Sequence, residues 1–202
     1  VIGSNPIRCK VIDLKYILVY LLVLPLLGTL FLIFIPSFNT ELLRSVGFKT
    51  SCVTFVLSFY LWTEFNKTIG TFQFVTNDSW INLLNLNLSL GIDGISLFFI
   101  LLTTLLIALC LLTSWNSISY NLKEYLIAFL IMEFFLIGVF CILDLLMFYI
   151  FFESVLIPMF LIIGIWGSRE RKILASYYFF LYTLFGSVIM LLAILYIYYQ
   201  VG

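Results

Sequence analysis

The sequence predicts an all-α fold, a polytopic transmembrane helical bundle of about six spans. Three observations carry that prediction. The chain has 202 residues, of which 64% are hydrophobic and only 10% charged, whereas a soluble domain carries about 25% charged and about 45–50% apolar residues. Its mean hydropathy is +1.21, more apolar surface than one globular core can hide. Its apolar runs also recur at about the 20 residues that cross a bilayer.

The spans fall at roughly 16–35, 46–63, 94–115, 124–142, 144–166 and 173–200, in a single membrane domain covering 1–202. The first is closed by Pro36 and the second ends near Trp62. A polar, asparagine-rich loop follows over roughly 64–92. The third span ends at Trp115. Its opening, LGIDGIS, sets Asp93 between Gly91 and Gly94 as an N-terminal helix cap. From Tyr125 to Trp166 the chain is almost continuously apolar, too long for one span and right for two, so a tight turn is expected at the polar break, Asp144. Trp62, Trp115 and Trp166 all fall at span ends, as the aromatic belt at headgroup level requires.

Charge sets the orientation and removes some classes of function. Ten basic residues balance ten acidic ones, which leaves no basic domain for nucleic acid. The loops after spans one, three and five hold Arg44, Lys49, Lys123, Arg169, Arg171 and Lys172, against Arg8, Lys10, Lys15 and Lys67 on the other side. That bias places the odd loops inside and the N-terminus outside; the basic N-terminus pulls the other way. The apolar run from Tyr16 to Ile35 suits a span better than the core of a signal peptide, and no small-residue cleavage site follows it.

The chain has no histidine, which excludes haem held by histidine axial ligands and removes the commonest metal ligand. Cys9, Cys52, Cys110 and Cys141 are scattered, with no CxxC pair, and read as small apolar residues. No glycine-rich phosphate loop and no zinc or calcium motif occurs. Asn66, Asn77 and Asn87 each open an N-x-S/T triplet. Taken literally these are glycosylation acceptors; chance in an asparagine-rich loop is the reading preferred here.

Chemistry concentrates in DLLMFYIFFESVLIPMFLI, where Glu153 stands in an apolar run and Pro158 follows it. Glu153 lies about 13–14 Å into its span, too deep for a glutamate to reach water along its own side chain. A carboxylate there costs on the order of 3 kcal/mol on insertion scales. It must stay protonated, meet a cation, or face water inside a bundle. Burial favours the neutral acid and a nearby cation the ionised one, so a partner that approaches and retreats makes a proton relay; a static buried ion pair is the other reading. Pro158 removes the hydrogen bond to the Ser154 carbonyl and predicts a kink beside the site.

Glu133, in the fourth span, is the candidate second relay, either sharing a water path with Glu153 or facing another subunit. Thr183 and Ser187, four residues apart in the sixth span, suit helix packing or a polar lining for water. No lysine or arginine stands in mid-membrane, so a cation partner for either glutamate must come from elsewhere.

Three segments, LSLGIDGISLFFILLTT, DLLMFYIFFESVLIPMFLIIGIWGSRERK and YYFFLYTLFGSVIMLLAIL, closely resemble subunit 4 of NADH dehydrogenase (ubiquinone), the antiporter-like membrane subunit of respiratory complex I. The resemblance runs from about residue 20 to the end, in the same order and spacing. It implies the N-terminal part of an antiporter-like fold of about fourteen helices with two inverted repeats. It implies proton translocation driven by quinone reduction elsewhere in the complex, with Glu153 at the position of the family's key glutamate and a lysine of the seventh helix as its partner. It also implies that this chain binds no cofactor, FMN, iron–sulfur clusters and ubiquinone lying in other subunits.

The implied partners are other membrane-arm subunits, membrane lipid and a chain supplying helix seven onward. That chain is separate if the gene is split, or continuous if the sequence is truncated. The phenylalanine, isoleucine, tyrosine and asparagine bias looks like an AT-rich organelle genome, hence the mitochondrial inner membrane, with the bacterial plasma membrane as the alternative. Two other functions compete: a stand-alone cation/proton antiporter subunit, and a structural membrane subunit with a static ion pair.

Overall fold

A computed structural model describes residues 16–68, 70–81 and 86–201, without the side chains of 77–88 and 201. The N-terminal charges Arg8, Lys10, Asp13 and Lys15, with Cys9, lie outside the described residues, as do the side chains of Asn77 and Asn87. Six helices form: α1 (Ile17–Phe34), α2 (Thr40–Glu64), α3 (Gly94–Thr113), α4 (Leu122–Cys141), α5 (Leu145–Trp166) and α6 (Lys172–Val201). All six are long and apolar enough to cross a membrane.

The helices match the expected spans closely, with one shift. α2 begins at Thr40 rather than near 46. Its first turns carry Glu41 and Arg44, too polar for an apolar window. An acid in the first turn nevertheless suits the positive end of a helix. The turn at Asp144 forms as expected: its Oδ1 accepts from the backbone N–H groups of Leu146 (2.8 Å) and Met147 (3.3 Å). Asp93 caps α3 in the same way, accepting from the Ser96 N–H at 2.7 Å. That hydrogen bond holds the Asp93 carboxyl below its ordinary range.

The polar loop is more ordered than expected. It contains an antiparallel hairpin of β1 (Gln73–Ile81) and β2 (Leu86–Ile92), with Gln73 opposite Ile92 and Thr76 opposite Leu90. The cause is legible in β2, where LNLSL alternates apolar and polar residues with the period of a strand; the asparagines had masked it. The other edge of β2 meets the α4–α5 turn, where Leu143 N–H donates to the Ser89 carbonyl at 2.9 Å and Ile142 pairs with Leu90. The hairpin therefore covers one end of the bundle. Asn66 is engaged locally, its Oδ1 accepting from the N–H and hydroxyl of Thr68.

The opposite end is tied by basic side chains and tryptophan. Lys123 Nζ donates to the carbonyls of Ile33 (2.7 Å) and Ile35 (2.9 Å), Arg44 to that of Ile118, and Lys172 to that of Ile165. Trp166 Nε1 donates to the Tyr120 carbonyl. Lys123 and Lys172 meet the C-terminal ends of α1 and α5, whose last carbonyls lack partners of their own, while Arg44 holds the α3–α4 loop. The loops after α1, α3 and α5 thus gather at one end, tied by Arg44, Lys123 and Lys172; Lys49, assigned to the same side, lies ten residues into α2.

The core is built around α4, which packs against α1, α2, α3 and α5, while α6 packs chiefly on α5. One apolar cluster near the hairpin includes Leu21, Leu61, Ile92, Ile100, Ile137 and Met147; another, toward the basic end, includes Leu32, Leu43, Ile107, Leu126 and Leu130. Between α4 and α5 the approach is very close, for a Cβ on Gly138 would fall 2.2 Å from the Phe151 ring. Only a glycine permits that spacing.

Candidate functional site

Two carboxyls stand in mid-helix. Glu133 is eight residues from the end of α4 and Glu153 eight residues from the start of α5. Because the helices form an antiparallel hairpin, both lie about 12 Å from the turn. Their surroundings differ completely.

Glu133 is fully buried, at 0% exposure. Its Oε1 lies 2.5 Å from the Thr54 hydroxyl of α2, and its Oε2, also buried, has no hydrogen-bond partner. Thr54 belongs to a polar stripe on α2, Ser51, Thr54 and Ser58, spaced at three and four residues and fully buried. Ser58 reaches Thr104 of α3, with the two hydroxyl oxygens 2.9 Å apart. Glu133 thus looks into α2. Nothing in the sequence reading singled out Ser51, Thr54, Ser58 or Thr104, although the helical spacing of the α2 residues was available as a signal.

Glu153 is half-buried, and its Oε2 is enclosed without a partner. Its direction follows from the packing of its own helix. Val155, Met159, Ile162 and Trp166 pack toward the cluster that contains α4 residues. Phe160 meets Tyr177 and Phe180 of α6, and Gly164 approaches Ser176. At about 100° per residue, Glu153 shares the face of Phe160 and Gly164, on the α6 side. The same antiparallel register sets Ser187 level with Glu153.

Glu133 and Glu153 therefore share a depth but no hydrogen bond. Thr183 donates to the carbonyls of Phe179 (2.7 Å) and Phe180 (3.0 Å), and Ser187 to that of Leu184 (2.9 Å). Both hydroxyls bond within their own helix, and Ser187 is only 3% exposed, as a packing contact would be. Pro158 is buried in α5, which runs unbroken from Leu145 to Trp166; one turn before it, Ser154 donates to the Ile150 carbonyl at 2.7 Å.

No lysine or arginine among the described residues bonds to either carboxyl, and no group of three histidine, cysteine, aspartate or glutamate side chains gathers among them to hold a metal. What the arrangement can do is bind a proton, at an enclosed acid facing hydroxyls (Glu133) and at a half-enclosed acid facing a helix with one open side (Glu153).

Comparison with known proteins gives this geometry its context. Residues 142–202, which contain Glu153 and Pro158, match the transmembrane family described as NADH:quinone oxidoreductase/Mrp antiporter. A relative from Chondrus crispus named NADH-ubiquinone oxidoreductase chain 4 is 61% identical over 178 residues, covering 88% of this chain and 36% of the relative. Proteins of the same name from Prototheca wickerhamii (54% identical; 90% of this chain, 38% of the relative) and Arabidopsis thaliana (56%; 90% and 37%) match similarly.

Among solved structures, a chain of respiratory complex I from Thermus thermophilus with bound NADH is 30% identical with a TM-score of 0.73, covering 88% of this chain and 35% of that one. The fold also recurs at 21% identity and a TM-score of 0.70 in the membrane-bound sulfane sulfur reductase, an archaeal respiratory membrane complex; the match covers 94% of this chain and 28% of that one. The chain spans little more than a third of the length of the curated relatives it matches. Over that part, this multi-pass membrane protein with an antiporter-like fold is similar to the proteins named NADH-ubiquinone oxidoreductase chain 4.

Proposed function

We propose that this chain is part of a proton-translocating membrane-arm subunit of NADH:ubiquinone oxidoreductase, with Glu153 as its proton relay. One observation carries the reading: Glu153 places a carboxyl in mid-helix, with one oxygen enclosed and unpartnered, inside the segment that matches the antiporter-like family. A cation brought to that oxygen exchanges for its proton, and withdrawal of the cation takes the proton back. Pro158, which has no N–H for the Ser154 carbonyl, leaves that carbonyl free for water beside the acid.

The cation belongs to a further stretch of chain, separate or continuous, that covers the open face of α5 and α6. Residues such as Tyr182, Phe185 and Tyr199 are 70–86% exposed on α6, which leaves that face open to a covering chain. FMN, iron–sulfur clusters and ubiquinone are assigned to other subunits, and the membrane to the mitochondrial inner membrane. The test is Glu153→Gln in the assembled complex, which keeps the shape and removes the proton. Proton pumping and the coupled quinone reductase rate are expected to fall; normal pumping by an intact complex rejects the relay.

A further inference from the structure

The reading above leaves the buried hydroxyls between α2, α3 and α4 without a task. Their hydrogen count is informative. The Thr54 hydroxyl has one hydrogen and two acceptors in reach, the Ser51 carbonyl at 2.8 Å and Glu133 Oε1 at 2.5 Å. It can donate to only one of them.

If Glu133 carries a proton, that proton goes to Thr54 Oγ, and the Thr54 hydrogen goes to the Ser51 carbonyl. Both hydrogens then have an acceptor, and only Glu133 Oε2 stays without a partner. If Glu133 is ionised, the Thr54 hydrogen must turn to Oε1. The Ser51 carbonyl then keeps its in-helix bond alone, and the carboxylate is left fully buried with a single neutral donor. Burying such a charge is costly unless it is paired. One turn further along α2, Ser58 and Thr104 repeat the device. Ser58 is 2.7 Å from the Phe55 carbonyl and Thr104 is 3.0 Å from that of Ile100, and the two hydroxyls are 2.9 Å apart, so either can donate to the other.

We infer that Glu133 and Thr54 form a second protonable site on the far side of α4 from Glu153, with Thr54 as the positioning residue for the Glu133 proton. The ligand is a proton. The Thr54 hydroxyl rotates between the Ser51 carbonyl and Glu133 as the proton arrives and leaves. The inference deepens the proton-translocating reading and rests on it for its purpose, although the site itself can be tested apart from pumping.

The experiment uses the assembled complex in native membrane vesicles with Glu133→Gln, Thr54→Val and Thr54→Ser. Infrared difference spectra between the parent complex and Glu133→Gln should contain one protonated-carboxyl C=O band that shifts in D2O. Thr54→Val should move that band to higher frequency, as for a carboxyl that has lost its hydrogen bond, and slow coupled turnover roughly fivefold, the size of one hydrogen bond. Thr54→Ser should restore both; a purely structural role for the threonine would not give a spectral rescue by a bare hydroxyl. Should Thr54→Val not assemble, Thr54→Ala makes the same deletion.

No carboxyl band lost in Glu133→Gln, or a band unmoved when the Thr54 hydroxyl is removed, overturns the inference. A well-behaved band together with unaffected pumping in Glu153→Gln supports this site and rejects the relay at Glu153. The reverse pattern rejects only this site.

Discussion

Glu133 and Glu153 stand at one depth, each eight residues from the α4–α5 turn, with their carboxyls directed to different neighbours. Glu133 bonds to Thr54 on α2, and Glu153 lies on the α6 side of α5. Sharing no hydrogen-bond partner, they should behave as independent sites. The stability losses of Glu133→Gln and Glu153→Gln, read as shifts in melting temperature of the purified complex, are expected to add, with a coupling below about 0.5 kcal/mol. A larger coupling would mean that the two acids communicate through α4 and α5.

The contact between Gly138 and Phe151 fixes the spacing of that hairpin. A Cβ at Gly138 would lie 2.2 Å and 2.4 Å from two Phe151 ring carbons. The ring cannot swing clear easily, because Phe134 and Phe135 hold it at 5.4 Å and 5.9 Å between centroids. Gly138→Ala should therefore destabilise the subunit by about 1–3 kcal/mol through overpacking. Phe151→Leu in the same chain should recover part of the loss. Thermal denaturation of the single and double variants decides it.

These two relationships show where sequence reading stops. Six helices were legible because the bilayer imposes a length and a solvent on each span, and a hydropathy run reports both. Asp93 and Asp144 were legible as polar breaks before helices, and both are caps. The Glu133–Thr54 pair was not, because a partner 79 positions away depends on which face of α4 meets α2. That face is set by close approaches such as Gly47 against Leu126, and not by local pattern. Glu153 was easy to find and its direction was not, for the same reason. The hairpin is less legible although β2 alternates, since its asparagine and serine fit a loop as well as a strand.

Lys123 links the start of α4 to the end of α1. Its ammonium donates to the Ile33 and Ile35 carbonyls at 2.7 Å and 2.9 Å, covering orphan acceptors where the helix dipole is negative. Lys123→Met keeps the aliphatic stem and removes the charge. It is expected to cost about 1 kcal/mol and to raise amide exchange in the last turn of α1, measured by mass spectrometry. Unchanged exchange there would show that water replaces the ammonium at no cost.

Asp93 supplies the pH-dependent contact. The Ser96 N–H donates to its carboxylate at 2.7 Å, which holds the carboxyl below its ordinary value. A carboxyl lowered by folding stabilises the fold above its unfolded value, about 3.9, and loses that contribution as pH falls through the folded value. The first turn of α3 should therefore open more readily below about pH 4. In Asp93→Asn, which still caps a helix, that dependence should disappear. Asp93→Ala should lose the cap at every pH, at about 1 kcal/mol. Hydrogen exchange of residues 94–100, corrected for intrinsic rates at each pH, separates the three. A pH dependence that persists in Asp93→Asn would assign it to another group at that end of the bundle.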